Sequence, residues 1–506
     1  MATWVPTFGD FCTTCLIGAL FYLLYKYGMR NYHIFSDLGI PGPKPLPFIG
    51  NIIGFMTQNP IKHDAEQIRK YGKVFGIFEG ALPELFIADA DLIRLVFVKE
   101  YENFINRRNF EFQRDLHRKM ITILRDQEWK DVRLAIGQAM TTSKVRKMFG
   151  LMQRCADRLV DDFTEKAKTE GKFDVRTACF VYPLDVIARC AFGANIENLG
   201  KKDDVFMRNA KVASSSFTRS PLMILPSLMP SIARFLRNIH FKIPEFDFFV
   251  AMLNDLIKER KTKKIVCQDF VDMATEALSK AVREENGKKV PLWSPEQVDQ
   301  IVISQCAVFI FAGLESVSTA LGAACYLLAT HPDIQEKLHK MVVDKLEQYE
   351  SISPEMLLDL PYADYIAKEA LRLYSPAARV ERECNQDITY NGIQIKKGML
   401  VRIPIYSVHY SEEYFPEPEK FDPDRWDPAN KDRTNPYAFV PFGIGPRNCV
   451  GMKFSFEEIK IALCNVVHKF RFFPIKETPA KLEMNFGFYN GNNPTSTMIG
   501  IELRQS

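Results

Sequence analysis

The sequence has no Gly/Ser linker, no low-complexity tract and no internal repeat, so its 506 residues predict neither a string of modules nor a solenoid. It also lacks a block of one charge. With 66 Lys and Arg against 62 Asp and Glu, the formal net charge is only +4, which gives no reason to expect a nucleic-acid partner. From Cys155 onward the cysteines stand singly, without the paired spacings of a zinc site or a disulfide scaffold, and their total of 11 is odd. A reducing compartment is expected. Cys12 and Cys15 form the one close pair; a redox or half-metal role competes with that of two small hydrophobes in an apolar run. What is present, 47% hydrophobic and 25% charged residues, is enough to bury a sizeable core in one large domain.

No residue from Phe11 to Tyr25 is charged, and Trp4 to Met29 carries only Asp10 and Lys26. About 20 mostly apolar residues span a bilayer, so residues 1–30 are expected to form a membrane anchor, with a cleaved signal peptide as the competing reading. No basic segment precedes the run and no small-x-small site follows it. Lys26 and Arg30 do follow it, which orients the body of the protein toward the cytosol. Residues 31–50 then form a connector whose prolines at 41, 43, 45 and 47 exclude helix and ladder, giving a stiff strap. Residues 51–506 are expected to fold as one body.

That body is mainly α with a minor β part. Strand signals occur at Val74 to Phe78, Leu85 to Ala88 and Met399 to Ile403. Ser294-Pro295-Glu296-Gln297 combines a capping serine, a proline at the first helical position and a glutamine at the third. The helix it starts is apolar nearly all round, as a helix through the centre of a large domain must be. Between Pro221 and Phe249, apolar residues packed among prolines predict a covering loop or a second membrane contact.

The strongest chemical signal is Phe442-Gly443-Ile444-Gly445-Pro446-Arg447-Asn448-Cys449-Val450-Gly451, immediately before a helical run. Gly443 and Gly445 permit close approaches that a Cβ would block, and Gly451 lets the helix press against a flat group. Cys449 falls at a helix N-terminus, where backbone N–H groups favour the thiolate that binds iron. Arg447 is placed to reach a carboxylate.

This pattern, F-x-x-G-x-R-x-C-x-G, resembles the haem-binding loop of the cytochrome P450 superfamily, and further matches follow the family's order along the chain. Glu369-Ala370-Leu371-Arg372 resembles its E-x-x-R, and Arg425 in Pro423-Asp424-Arg425-Trp426 the arginine that joins that pair in a structural role. Trp129 and Arg133 are similar to the W-x-x-x-R that reaches a haem propionate. Ala312-Gly313-Leu314-Glu315-Ser316 matches the acid-alcohol motif of the core helix, with Ser316 where the family usually has threonine. The bond of Ser316 back to a helix carbonyl is the purely structural alternative. Asn106-Arg107-Arg108, Phe309 to Gly313 and Pro441 to Phe454 look most like animal family three enzymes and thromboxane synthase. That likeness adds Arg107 and Arg382 as propionate partners.

The resemblance implies a cytochrome P450 fold with an N-terminal transmembrane helix, holding haem b with Cys449 as the iron ligand. Phe442, Arg447 and Gly451 would help hold the haem. It implies insertion of one oxygen atom of O₂ into a lipophilic small molecule such as a steroid, fatty acid or xenobiotic. Glu315 and Ser316 would supply protons. Electrons would come from NADPH through NADPH-cytochrome P450 reductase, with cytochrome b5 as a further donor, at the endoplasmic reticulum membrane with the catalytic domain on its cytosolic face. Lys130, Lys144, Arg146 and Lys147 would face the reductase, or else form an ordinary solvated charged face. Phe110, Ile123, Phe311, Ala312, Ala377 and the loop Phe486 to Tyr489 are expected to line the substrate pocket. A haem-thiolate isomerase of the thromboxane-synthase type and a non-catalytic haem or lipid-binding membrane protein are the competing functions.

Overall fold

The computed structural model describes residues 8–109, 115–193, 204–219, 244–285, 287–486 and 492–505. The first helix, α1 (Phe8–Met29), turns Leu16, Phe21 and Leu23 outward, at 71%, 67% and 64% exposure. The connector behind it lies against the body. Tyr32 and Phe35 are buried, with their rings 4.8 and 5.0 Å from that of Phe78. The proline strap runs beside the first strand: the Gly76 N–H donates to the Pro41 carbonyl at 2.8 Å. At Gly42 a Cβ would stand 2.0 Å from the Gly76 carbonyl oxygen, so only glycine allows this approach.

The principal sheet has four strands in the order β1-β2-β4-β3. β1 (Val74–Glu79) and β2 (Leu82–Ile87) form a hairpin with Val74 opposite Ile87. β3 (Arg379–Glu383) pairs antiparallel with β4 (Leu400–Pro404), Glu381 opposite Arg402, and β4 runs parallel to β2. The strands begin within a few residues of the sequence signals. Phe75, Ile77, Phe86, Val401 and Ile403 fill buried positions beside the charged Glu79, Glu84 and Arg402; Phe75 and Phe86, fully buried, stack at 5.0 Å, each contributing about 2–3 kcal/mol by burial.

The larger core is helical. α3 (Val181–Phe192), α5 (Pro361–Leu373) and α6 (Met452–Lys469) pack against α4 (Pro295–Thr330), whereas α2 (Asp126–Ala139) packs on the helix Phe270–Lys280, which itself contacts α4. α4 starts at the expected capping box: the Gln297 N–H donates to Ser294 Oγ at 3.3 Å, and the Ser294 N–H to Gln297 Oε1 at 2.8 Å. Its composition would let it cross a membrane, but its apolar window is mostly buried inside the body, as befits a core helix. The proline-dense segment from Pro221 lies outside the described residues up to 243. Beyond it a helix (Pro244–Lys263) buries Phe246 and Phe249.

Candidate active site

Cys449 ends a tight loop between the sheet and α6. Its N–H donates to the Phe442 carbonyl at 2.8 Å, and the Asn448 N–H to the Gly445 carbonyl at 3.0 Å. Gly445, at φ +77°, passes so close to the preceding chain that a Cβ would lie 1.8 Å from the Phe97 carbonyl oxygen. Gly451 has a different task. A Cβ there would meet nothing nearer than Cys449 Sγ at 3.9 Å, so the glycine keeps open the space beside the sulfur. Although Cys449 lies deep in the fold, its side chain is exposed to a cavity of about 550 Å³. Burial pushes its thiol up. The N–H groups of Gly451 and Met452 and the guanidiniums of Arg133 and Arg107 pull the other way.

Of the expected cofactor residues, Arg107, Trp129, Arg133, Phe442, Arg447, Cys449 and Gly451 line this cavity. Arg382 sits behind them, its Nη2 donating to the Arg447 carbonyl at 3.2 Å and its guanidinium 4.9 Å from the Phe97 ring. Arg447 donates to the carbonyls of Ile105 and Leu124, the latter at 2.7 Å, and lies 4.7 Å over the Trp129 ring. Arg133 Nη2 donates to Asn448 Oδ1 at 2.7 Å. Among the described residues, no carboxylate forms an ion pair with Arg107, Arg133, Arg382 or Arg447. Burial and the neighbouring Arg107, Arg382, Arg125 and Arg133 push the Arg447 guanidinium down to about 8. Arginine keeps its proton in proteins, so so positive a site is relieved by binding an anion.

Glu369 and Arg372 form a fully buried pair at 2.7 Å. Arg425 Nε lies 3.4 Å from Glu369, and Trp426 Nε1 donates to it at 2.9 Å. Arg372 also donates to the carbonyls of His409, Pro418 and Lys420, so this constellation stitches α5 to the loop leading to Cys449.

Two expected positions fall elsewhere. Helical geometry turns residues 308, 309, 312, 313, 316 and 317 of α4 toward the cavity, which includes Ala312 and Ser316. Phe311 lies about 100° round the helix from Ala312 and packs at 5.7 Å from Phe246 instead. Glu315 is likewise rotated off the cavity; its carboxylate pairs with Arg176. Ser316 Oγ donates to the Ala312 carbonyl at 2.5 Å, the bond of the structural alternative, while its residue still borders the cavity. Ile123 and Ala377 line the cavity. Phe110 and Tyr489 lie outside the described residues, as does the side chain of Phe486.

Two further residues of the cavity wall stand outside the local sequence motifs. Arg379, on the cavity wall, is held by buried Asp64 through bonds of 2.7 and 2.6 Å, a contact between residues 315 apart. Glu458 of α6 also lines the wall, with Oε1 unpartnered, and burial alone pushes its carboxyl well above the usual range. A glutamate inside an otherwise apolar helical face was the available cue.

The donor set fits haem. Among the described residues no cluster of His, Cys, Asp or Glu would hold a bare metal, so an ion at Cys449 must bring most of its own ligands. The buried Nε atoms of Arg107 and Arg447 have no partner, as expected of groups that face two propionates. A flat macrocycle would lie between the α4 row and the Cys449 loop, with the sulfur toward its metal.

The sequence profile of the cytochrome P450 family matches residues 40–498. The chain is 35% identical to cytochrome P450 3A9 of Rattus norvegicus over 468 residues, 92% of this chain and 91% of that protein. It is 34% identical to cytochrome P450 3A41 of Mus musculus over 478 residues, covering 94% and 93%, and 34% identical to cytochrome P450 3A29 of Sus scrofa over 478 residues, covering 93% of each. With the fold, the cysteine loop and these relatives in agreement, the chain belongs to the cytochrome P450 family of haem b monooxygenases, which draw their electrons from NADPH through a reductase.

Proposed function

We propose that this protein oxygenates lipophilic small molecules of the size of a steroid, fatty acid or xenobiotic at a haem whose iron is bound by Cys449. The observation that carries the reading is the Cys449 thiol, open to a largely apolar cavity beside Arg107, Arg133 and Arg447, which pair with no carboxylate among the described residues. When bound, the haem supplies the activation of O₂. The chain does the rest. Arg107, Arg133, Arg382 and Arg447 hold the propionates, and Ile121, Ile123, Val308, Phe309 and Ala377 exclude water and orient the substrate. Ser316 holds a hydroxyl at the cavity edge, and Glu315, paired with Arg176, connects that edge to the proton supply of the solvent.

α1 supports an anchor in the endoplasmic reticulum membrane: it is 22 residues long, about 33 Å, and presents apolar side chains outward. The catalytic body then lies on the cytosolic side. Lys144, Arg146 and Lys147, which form no ion pair among the described residues although Lys144 lies within electrostatic reach of Glu276, offer a basic face to NADPH-cytochrome P450 reductase and to cytochrome b5. Lys130 is paired with Glu102 at 2.5 Å and adds less.

The absorption spectrum of the reduced protein under carbon monoxide tests the central claim. A thiolate-type Soret band that disappears in Cys449→Ser, together with loss of NADPH-dependent turnover, is expected. A band at the position of histidine-ligated haem, or one unchanged by the substitution, defeats it; turnover without NADPH would mark an isomerase.

A further inference from the structure

The wall of the cavity formed by Ile121, Thr122 and Ile123 belongs to no helix or strand; residues 119–123 are bends and turns. Its internal bonds are local, from the N–H groups of Ile123 and Leu124 to the Met120 carbonyl at 2.8 and 2.9 Å. Its two ends are held, Lys119 Nζ donating to Gln300 Oε1 of α4 and the Leu124 carbonyl accepting from Arg447, but the wall-forming residues between them cannot fix their own place relative to α4. We infer that Gln305 is the positioning residue that does so, and that it thereby sets how bulky a molecule the cavity admits.

Gln305 is fully buried on a helix of apolar residues, where an unpaired amide would be costly. Its Nε2 donates to the Lys119 carbonyl at 2.6 Å and to the Ile301 carbonyl at 3.2 Å, while its Oε1 accepts the Ile121 N–H at 2.8 Å. The amide therefore spans Met120 as a neighbouring strand's peptide group would. Because both partners in the loop are backbone atoms, the clamp fixes position regardless of which side chains the loop carries. One turn further along α4, Val308 and Phe309 face the cavity, so the clamp ties this wall to the same helix that supplies the adjoining one. Met120 fills the space between, packed with Ala307, Val308 and Phe246.

This inference rests on the cavity being the place where substrate meets the haem, and the test separates the two. The full-length holoprotein and its Gln305→Met variant are titrated with imidazole and with clotrimazole, a much bulkier azole, following the Soret band. Hydrogen exchange is measured at the Ile121 amide. Ser304→Ala is the control, since Ser304 is equally buried on α4 but donates only to the Gln300 carbonyl at 2.7 Å. Expected for Gln305→Met are an unchanged imidazole affinity, clotrimazole binding tighter by about tenfold, and Ile121 exchange faster by about tenfold, the equivalent of one or two lost hydrogen bonds. Ser304→Ala should move neither reading. If Gln305→Met does not accumulate as holoprotein, Gln305→Glu keeps the shape and the acceptor for Ile121 and should shift both readings in the same direction by less. An unchanged ratio of the two affinities, or Ile121 exchange no faster than in the unsubstituted protein, overturns the assignment. A Soret band that neither azole shifts in the unsubstituted protein would instead overturn the reading of the cavity.

Discussion

Two groups of buried charge lie back to back where residues 107–108 approach residues 381–382, and they are built on opposite rules. Arg107 and Arg382 belong to the cations around the Cys449 loop, without ion-pair partners among the described residues. Their chain neighbours Arg108 and Glu381 point the other way, into a closed network with Glu79, Glu84 and Arg402. Alternation along β3 makes the division at 381–382, sending successive side chains to opposite faces. In the network every guanidinium meets carboxylates: Arg108 reaches Glu79 at 2.9 Å, Glu84 at 2.6 Å and Glu381 at 2.9 Å, and Arg402 reaches Glu84 at 2.9 Å and Glu381 at 2.7 Å. A closed network answers to the fold alone; an open one is completed by something the chain does not encode.

The largest effect should come from opening the closed network. Arg108→Leu leaves three buried carboxylates with a single guanidinium, and breaking a buried pair in this way costs about 3–5 kcal/mol. Thermal unfolding should reveal the loss in the apoprotein and the holoprotein alike. The corresponding change on the open side should divide differently. Arg107→Met removes a buried cation with no ion-pair partner, so the apoprotein should be no less stable, whereas haem should bind about 10- to 100-fold more weakly for want of a charge-assisted bond. Haem transfer to apomyoglobin measures the second quantity. Equal losses of stability in both apoproteins would erase the distinction between the two groups.

How much of this could be read beforehand depended on sequence distance. The Cys449 loop and the Glu369–Arg372 pair are local patterns, ten and four residues long, and their residues lie together because backbone geometry puts them together. The capping box at Ser294 predicted the start of α4 for the same reason. Arg425 and Trp129 were reachable only through family resemblance, since nothing in their own neighbourhoods says what they meet. The direction of a side chain on α4 was harder: Phe311 and Glu315 stand one residue before Ala312 and Ser316, and that single step rotates them by about 100° away from the cavity. The Asp64–Arg379 pair and the five-membered network join residues brought together by the sheet, with Glu84 and Arg402 318 apart in sequence. Only the strand order makes those contacts visible.

The most selective probe of the closed network is its dependence on pH. Among the described residues the three carboxylates and two guanidiniums leave one negative charge over, and protonation of one carboxylate removes it. Burial, reinforced by Glu79, pushes Glu84 up to about 8, while Arg108 and Arg402 overcome burial to hold Glu79 well below the usual range. A glutamate in the unfolded chain titrates near 4.5. Between that value and about 8 the folded protein therefore binds a proton that the unfolded chain does not, and this site's contribution to stability falls as pH rises, by at most about 1.4 kcal/mol per pH unit. Glu84→Gln imitates the protonated acid at every pH. Its stability relative to the unsubstituted protein should consequently climb between pH 5 and 8 and level off above, as read by urea unfolding of the apoprotein across that range. The same experiment on Arg107→Met should show no such window, because an arginine that keeps its proton has nothing to titrate there.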